Sequence, residues 1–416
     1  MATQYSESGT NYTQEIRLSA PDDKAPFQWL VGGFYFNGDN TFDLKGLYDA
    51  YLYGYTPAPG LMTVEDPYYT LLTTRTWAGF CQMGYTFRDK LTLDSLYRML
   101  IAPVRARLMI TGIRLNLFSH LGTPVSAGAL AQTLGTHPAN TALMLDGLAA
   151  CDLVFKTRGL YRNTPAAEAF LVQGGSTDLG GLFSAWAHDL DTDTMLGLVK
   201  EGPPPADPPG EEVWAEYAPA MANLQQAGIA QRIARIISAL PEFSSCSSLL
   251  DLGGGPGRIG MAIVAAHPSM TGILFDRPAV ARVAERFIEM DGMQARMTAM
   301  GGDFIHDSIG KGYDLVWASS VLNAVQRDAD RIVRKIYDAL NPGGVFVSCH
   351  DGLTHERCKP EFMVLGWLPT ALAGQDMGLD KGFIADAMAR AGFRSVQSST
   401  LDTPMGPMAL DTARKG

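Results

Sequence analysis

The sequence is poor in cysteine and in basic side chains, and both shortages exclude classes of function. Only five cysteines occur among 416 residues, they are far apart, and no Cys-x-x-Cys pair is present. Neither a disulfide framework nor a zinc site is therefore predicted. The 33 Lys and Arg are outnumbered by 43 Asp and Glu, which gives a formal net charge of −10. Because duplex binding needs excess positive charge to displace counterions, nucleic acid is an unfavourable partner.

Targeting and membrane signals are also missing. Residues 1–17 lack the basic and apolar regions of a signal peptide. The apolar run Leu100–Phe118 contains three arginines, which argues against a membrane-spanning helix. We therefore expect a cytoplasmic protein with no membrane partner, and the length with 46% hydrophobic residues predicts two or three domains.

Residues 1–97 form a tyrosine-rich N-terminal extension, since 11 of the 15 tyrosines precede residue 98. Aromatic and polar residues alternate there, which predicts short strands. The stretches Tyr12–Phe36 and Thr74–Arg98 resemble pieces of the barrel of TonB-dependent outer-membrane receptors. A few strands cannot close a barrel, so we expect a fused remnant and assign it no role.

Residues 98–205 change to a helical period and predict a winged-helix-like domain. Helices are expected at Ala127–Leu134 and His137–Cys151, with a two-strand wing at Leu153–Phe155 and Leu160–Arg162. A winged helix can bind DNA, but His137–Cys151, which would enter the groove, contains no Lys or Arg. The pattern favours a dimerisation module over a DNA-binding one.

Residues 206–416 begin within a proline-rich linker, Gly202–Gly210, and predict an α/β domain. The predicted elements in chain order are a helix Glu211–Leu240, a strand Leu249–Leu252, a helix Arg258–Ala266, a strand Thr271–Phe275, a strand Tyr313–Ser319, a helix Arg327–Leu340 and, after the turn Asn341–Gly344, a strand Val345–Cys349. Alternation of strand and helix is typical of a parallel sheet covered by helices.

A glycine loop, Gly253–Gly257, joins the first of these strands to its helix. Glycines at such a turn allow positive φ and let backbone N–H groups approach a ligand closely. The spacing Gly255-x-Gly257-x-x-Gly260 also matches the dinucleotide fingerprint, which by itself would indicate NAD.

The surroundings of the loop favour a different cofactor. Asp251 precedes the glycines and places a carboxylate where a cationic amino-acid tail is attracted and a pyrophosphate is repelled. Asp276, which ends the next strand, can accept ribose hydroxyls in either kind of site. Asp303 and Phe304, which end the third strand-helix unit, can bind an adenine amino group and cover the ring.

With these motifs in this order, residues 98–415 resemble a class I S-adenosylmethionine-dependent methyltransferase. The similarity is greatest to small-molecule O-methyltransferases of the caffeate and acetylserotonin type. The resemblance implies a Rossmann-like domain, a preceding winged-helix-like dimerisation domain, S-adenosylmethionine as cofactor, a small acceptor and a homodimer. By position it implies that Gly253 and Gly255 face the methionine part of the cofactor, Asp276 the ribose, Asp303 and Phe304 the adenine, and Ser319 the cofactor's surroundings.

The chain departs from this family where the catalytic base is expected. Family members carry a Leu-His pair after the fourth strand, and its histidine deprotonates the acceptor, whereas this chain has Leu322-Asn323. An amide has no useful pKa, so Asn323 can orient an acceptor but cannot take its proton.

Three explanations of this departure remain open. In the first explanation the acceptor ionises without help from the protein, as an electron-poor phenol, a carboxylate or a thiol would. Alignment of the anion with the methyl group then provides most of the rate acceleration. Alternatively another group is the base, with His350 and Asp351 as candidates at the end of the fifth strand and His188 and Asp189 from the linking helices. The third explanation is a member of the fold that binds the cofactor without methylating, as a decarboxylase, hydroxylase or pericyclase does.

The acceptor pocket is expected to be apolar and to suit a flat ring. Its candidate lining residues are Trp186, Trp214, Met221, Met363 and Trp367. No ligand cluster for a metal is present, so no metal is expected. Methyl transfer by in-line displacement to an oxygen of a small, aromatic acceptor is the function that the sequence favours, with a cofactor-sensing winged-helix regulator as the alternative from another class.

Overall fold

The structure is a computed structural model that describes backbone and side chains for residues 93–187, 193–204, 210 and 212–416. The strands before residue 86, with Thr192 and Glu211, are described at the backbone only. The chain divides into two compact units, Met1–Ile101 and Ala102–Gly416.

The first unit contains antiparallel strands. These are β1 (Ala2–Thr3), β2 (Tyr12–Ser19), β3 (Phe27–Asn37), β4 (Phe42–Lys45), β5 (Pro67–Thr70) and β6 (Thr76–Tyr85). One sheet has the order β1-β2-β3-β6, and β4 pairs with β5. Strands are thus confirmed within both predicted stretches, but the end of the second is helical because α1 (Leu93–Arg114) begins before Arg98. The resemblance of this segment to a receptor stays a prediction.

The second unit begins with the helical domain. After α1 follow a 3-10 turn (Leu117–His120), β7 (Val125–Ser126), α2 (Ala127–Leu134), α3 (Pro138–Ala150), β8 (Val154–Thr157), β9 (Leu160–Asn163), α4 (Pro165–Phe170), α5 (Gly180–Trp186) and α6 (Thr192–Glu201). Its core is built from fully buried side chains that include Phe118, Leu121, Leu145 and Leu148.

The winged-helix-like layout is confirmed by local chemistry as well as by element order. The Ser126 hydroxyl caps α2 by accepting the amide hydrogen of Ala129 at 3.3 Å, and Gly135 ends this helix with φ +65°. His137 is the N-cap of α3 rather than its first residue, and Pro138 follows at the first helical position. The two wing strands pair antiparallel, and β9 also pairs with β7.

The predicted continuous helix Glu211–Leu240 is wrong, because a glycine interrupts it. The structure has α7 (Glu211–Leu224), a π-helical segment (Gln225–Ile229) and α8 (Ala230–Ser238). Gly228 adopts φ +119°, which no helical residue can take, so the two helices meet at a kink. Part of the predicted linker, residues 205–209, lies outside the described residues.

The remaining elements form the α/β domain. They are β10 (Ser248–Leu252), α9 (Arg258–Ala265), β11 (Thr271–Asp276), α10 (Pro278–Met290), β12 (Met297–Gly301), β13 (Tyr313–Ser319), α11 (Ala329–Ala339), β14 (Leu340–His350), α12 (Glu361–Leu372), α13 (Phe383–Arg390), β15 (Arg394–Thr403) and β16 (Gly406–Arg414), with 3-10 turns at Phe243–Ser245 and Leu322–Asp328.

These strands form one seven-stranded sheet in the order β12-β11-β10-β13-β14-β16-β15. The first five are parallel and β16 runs antiparallel to both of its neighbours. Alternate side chains face opposite cores, with Trp317 and Val347 on one side and Val316 and Phe346 on the other. The carboxyl ends of β10, β11, β13 and β14 therefore meet at one edge, where ligands of such folds bind.

Two predicted boundaries in this domain need correction. The helix predicted at Arg327–Leu340 begins with the 3-10 turn Leu322–Asp328, because Val325 has non-helical angles (φ −133°, ψ 36°). The strand predicted to begin at Val345 begins at Leu340, and a register shift between Tyr313 and Leu315 accommodates the intervening glycines. In the part of the chain that the structure describes, no helix has the length and apolar character to cross a membrane.

Candidate cofactor and acceptor site

The glycine loop is shaped by backbone contacts that side chains would prevent. Gly253, Gly255 and Gly257 have φ of +66°, +58° and +81°. A Cβ on Gly260 would lie 2.4 Å from Asp251 Oδ2, so this glycine lets the helix start rest directly on the carboxylate. At Gly255, in contrast, a Cβ would meet nothing within 4 Å. The loop therefore packs tightly on its inner side and is open on its outer side.

Two carboxylates lie beside this loop. Asp251 is 1% exposed beneath the glycines, and its Oδ2 has no hydrogen-bond partner among the residues that the structure describes. Burial, and secondarily the charge of Asp276, raise the pKa of Asp251 to about 7. Asp276 accepts the amide hydrogens of Gly255 at 2.8 Å and of Arg277 at 2.7 Å, one on each oxygen. Burial also raises the pKa of Asp276.

These residues fit the cofactor that the sequence implies. Each Asp276 oxygen has one backbone partner and keeps acceptor capacity for a ribose hydroxyl. In its ionised form the Asp251 carboxylate places negative potential under the open loop, and a cationic ligand bound there would favour that form. No group of three or more His, Cys, Asp or Glu that could hold a metal ion occurs among the residues that the structure describes.

The three other predicted cofactor residues lie at the same edge with different surroundings. Asp303 is exposed, and its carboxylate accepts from His306 Nδ1 at 2.6 Å and from the Ile305 amide at 2.9 Å. The hydrogen bond from His306 lowers the pKa of Asp303. The Phe304 ring is 8% exposed and belongs to the core below the sheet edge. Ser319 ends β13 and its side chain hydrogen-bonds the Cys349 thiol on β14. Their roles toward the adenine and the cofactor stay predictions.

Asn323 and Asp351 are in direct contact, which the sequence could not show. Asn323 is 1% exposed, and its Nδ2 donates to Asp351 Oδ2 at 2.7 Å and to the carbonyl oxygen of Met377 at 2.9 Å. Both amide hydrogens of the side chain are therefore used by the protein. Asn323 Oδ1 is buried and has no partner among the described residues. The only hydrogen bond that Asn323 still offers is one that it accepts.

Asp351 accepts two side-chain hydrogen bonds on one carboxylate oxygen. Its Oδ2 accepts from Asn323 and from Trp367 Nε1 at 3.0 Å. Burial raises the pKa of Asp351 to about 6, and neighbouring donors, among them the backbone of Leu379, oppose that shift. Its role as a base or as an orienting group stays a prediction.

His350 lies within the sheet and faces a different group. It is 1% exposed, its Nε2 lies 3.7 Å from Asp411 Oδ2, and neither ring nitrogen has a hydrogen-bond partner in the described structure. Burial lowers the pKa of His350, and the nearby charge of Asp411 opposes that shift. His188 and Asp189 lie outside the described residues.

The structure places only some of the predicted acceptor-pocket residues beside Asn323 and Asp351. Trp367 contacts the site through its bond to Asp351, whereas Met363 is 5% exposed in the core. Met221 is half-buried on α7, and Trp186 and Trp214 are 45% and 39% exposed. Sequence reasoning missed the chain segment around Met377, because a turn rich in Gly and Asp carries no sign of the side chain it will contact.

Comparison with known proteins agrees with this arrangement. An O-methyltransferase domain family model matches residues 210–361, and an O-methyltransferase dimerisation domain model matches residues 102–173. The N,N-dimethyltransferase OxyT of Streptomyces rimosus is 28% identical over 333 residues, which cover 75% of this chain and 94% of that protein. Acetylserotonin O-methyltransferase of Mus musculus is 26% identical over 342 residues, covering 75% and 85%.

Solved structures share the fold of the second unit. Human N-acetylserotonin methyltransferase in complex with SAM superposes with a TM-score of 0.65 at 20% identity, covering 79% of this chain and 100% of that chain. PigF with SAH gives a TM-score of 0.66 at 24% identity, covering 78% and 100%. The two family models match in the expected order, and the residues beside the glycine loop fit the cofactor. The chain accordingly belongs to the O-methyltransferase family, and its cofactor is S-adenosylmethionine.

Proposed function

We propose that this chain transfers a methyl group to a hydroxyl oxygen of a small aromatic acceptor without a base from the protein. The proposal rests on Asn323. The resemblance implies that this residue stands where family members have a histidine, and the amide donates both of its hydrogens, to Asp351 and to the carbonyl oxygen of Met377. When bound, S-adenosylmethionine supplies an activated methyl group whose displacement needs only an aligned nucleophile.

The chain's own residues divide into those that bind and those that orient. The open face at Gly255 lets the backbone approach the methionine part of the cofactor, and Asp276 accepts the ribose hydroxyls. Asp251 attracts the positive charge from beneath the loop. On the acceptor side, Asp351 and the carbonyl oxygen of Met377 hold the Asn323 amide, and Trp367 in turn bonds Asp351. Alignment of nucleophile and methyl group then favours in-line displacement.

None of the candidate bases in the described structure is placed to take the acceptor's proton. Asn323 has no useful pKa, Asp351 accepts from Asn323 and Trp367, and His350 faces Asp411 inside the sheet. The acceptor must therefore lose its proton to solvent before attack. An acceptor acidic enough to be ionised near neutral pH meets this requirement.

An amine nitrogen is a second acceptor that a specific observation favours. The unpaired Asn323 Oδ1 accepts a hydrogen bond, which a neutral N–H can donate while the nitrogen keeps its lone pair for attack. The nitrogen gains the methyl group first and releases its proton afterwards, so no base is needed beforehand. OxyT, the relative at 28% identity, is an N,N-dimethyltransferase.

We also propose that the helical domain forms a homodimer. The dimerisation-domain match over residues 102–173 supports this, as do large apolar side chains on the surface, with Val104 59% and Leu143 70% exposed. Light scattering on the full chain should give twice the mass of one chain. A monomer at micromolar concentration would contradict the dimer.

A screen with labelled cofactor tests the proposed reaction. Matched pairs that differ only in the acceptor atom, such as 4-nitrophenol with 4-nitroaniline and 1-naphthol with 1-naphthylamine, should be run across pH with carboxylates and thiols. Label on a phenol oxygen supports the main proposal, and label on the aniline alone supports the second. Binding of the cofactor with no transfer to any acceptor class would support a non-methylating member of the fold.

A further inference from the structure

The chain segment 374–380, between α12 and α13, contacts both orienting residues of the acceptor side. The carbonyl oxygen of Met377 accepts from Asn323, and the backbone of Leu379 lies near enough to Asp351 to lower the pKa of its carboxyl group. We call this segment the acceptor-side loop. Its position decides where Asn323 points, since one of the two donor bonds of the Asn323 amide ends on it.

Arg357 holds this loop with more contacts than any other described side chain. Its Nη2 donates to both Asp376 oxygens, at 3.0 and 2.7 Å, and to the carbonyl oxygen of Gly378 at 3.2 Å. Its Nη1 donates to Asp380 at 3.1 Å. One planar guanidinium thus binds three residues of the loop, an arrangement that a lysine cannot reproduce.

A second side chain, Gln326, bonds backbone carbonyl groups of the same loop and shares one of them, that of Gly378, with Arg357. Gln326, three residues after Asn323, donates through Nε2 to the carbonyl oxygens of Asp376 at 2.9 Å and Gly378 at 3.1 Å. The loop is therefore hydrogen-bonded both to the turn that contains Asn323 and to the turn that contains Arg357.

The backbone that presents Arg357 is unfavourable by itself. His355, Glu356 and Arg357 have φ of +53°, +56° and +66°, and none of them is glycine. The left-handed conformation is sterically costly for residues with a Cβ and persists where the surrounding structure requires it. Here the contacts of the guanidinium with the loop supply that requirement.

We propose that Arg357 is a positioning residue for the methyl transfer. It fixes the acceptor-side loop so that Met377 holds Asn323, whose Oδ1 then accepts a hydrogen bond from a neutral N–H or O–H group of the substrate and not from an ionised oxygen. The inference rests on the proposed function for its kinetic consequence, whereas its structural consequence is independent of the acceptor.

The test compares Arg357→Ala and Arg357→Lys with Arg390→Ala in the full chain. Arg390 is a matched control, since it makes a bidentate pair with Asp330 at similar exposure but contacts neither loop nor site. The measurements are hydrogen exchange of peptides spanning 374–380, the affinity for S-adenosylhomocysteine, and kcat and KM with the best acceptor from the screen.

In Arg357→Ala we expect exchange in the loop to accelerate about tenfold or more, because its charged anchor is lost. The acceptor KM should rise while S-adenosylhomocysteine affinity stays unchanged. Arg357→Lys should restore part of the protection and part of the KM, and Arg390→Ala should match the wild type throughout.

Unchanged loop exchange in Arg357→Ala would overturn the proposal, as would a loosened loop with unaltered acceptor kinetics. Weaker S-adenosylhomocysteine binding in step with the loop change would show general damage to the domain and would also overturn it. If the wild type methylates no acceptor, the proposed function fails, and the exchange experiment still decides whether Arg357 anchors the loop.

Discussion

The two ends of the site, one at β10 and β11 and the other at β13 and β14, are built in different ways. At the cofactor end, glycines and two carboxylates are arranged by backbone contacts over a short stretch of chain. At the acceptor end, Asn323 depends on Asp351, Trp367 and Met377, which are 28 to 54 residues away in sequence. The cofactor end is built mainly from backbone contacts, whereas at the acceptor end the polar side chains of Asn323, Asp351 and Trp367 bond to one another.

The largest effect is expected from adding one methyl group at the cofactor end. In Gly260→Ala the new Cβ meets Asp251 at 2.4 to 3.0 Å, so we expect a loss of about 3 kcal/mol in the free energy of unfolding, the upper end for overpacking. Chemical denaturation measures it. The control is Gly128→Ala in α2, where a Cβ meets nothing within 4 Å and a slight gain is expected. Equal stability of the two variants would contradict the tight packing of the loop.

At the acceptor end, Asp351→Asn should lower kcat/KM by about 30- to 100-fold, since an amide cannot accept from all the donors that Asp351 binds. In the wild type we expect activity to fall as pH drops through about 6, where Asp351 becomes protonated and releases Asn323. With an acceptor whose own ionisation lies outside this pH range, the variant should lack that acidic limb. An identical acidic limb in both proteins would assign it to another group.

Asp276→Ala separates cofactor binding from acceptor chemistry. We expect the affinity for S-adenosylhomocysteine to fall by about 2 kcal/mol, because ribose hydroxyls would lose their acceptors in a partly buried site. Calorimetry measures the change, and Asn323→Ala is the comparison, with unaltered affinity. A weaker affinity in Asn323→Ala but not in Asp276→Ala would reverse the assignment of the two ends.

The smallest expected effect is a change in how the free energy of unfolding depends on pH, and it comes from His350. Its lowered pKa means that the unfolded chain binds more protons below pH 6.5, so stability should decrease as pH falls in that range. His350→Gln should make the decrease shallower by a fraction of the about 1.4 kcal/mol per pH unit that one group can contribute. Denaturation at several pH values checks it, and identical slopes would contradict the buried neutral histidine.

The same contrast explains what the sequence could and could not predict. The strand, glycine loop and helix at 248–265 follow from local periodicity and turn chemistry, and the structure confirms them nearly residue by residue. The kink at Gly228 was missed because a single glycine is tolerated within a helical pattern. The sequence singled out Asn323 and predicts that it replaces a base, but its contact with Met377 depends on how a distant turn folds back. Such long-range pairings have no local signal.

The proposed reaction uses no proton acceptor from the part of the chain that the structure describes. The most direct measurement is the pH profile of kcat/KM for a series of phenols less acidic than Asp351. We predict that the point at which the rate rises moves with each phenol's own pKa and is unaffected by His350→Ala. A rise fixed at one pH for all phenols, and abolished in His350→Ala with folding intact, would contradict the claim.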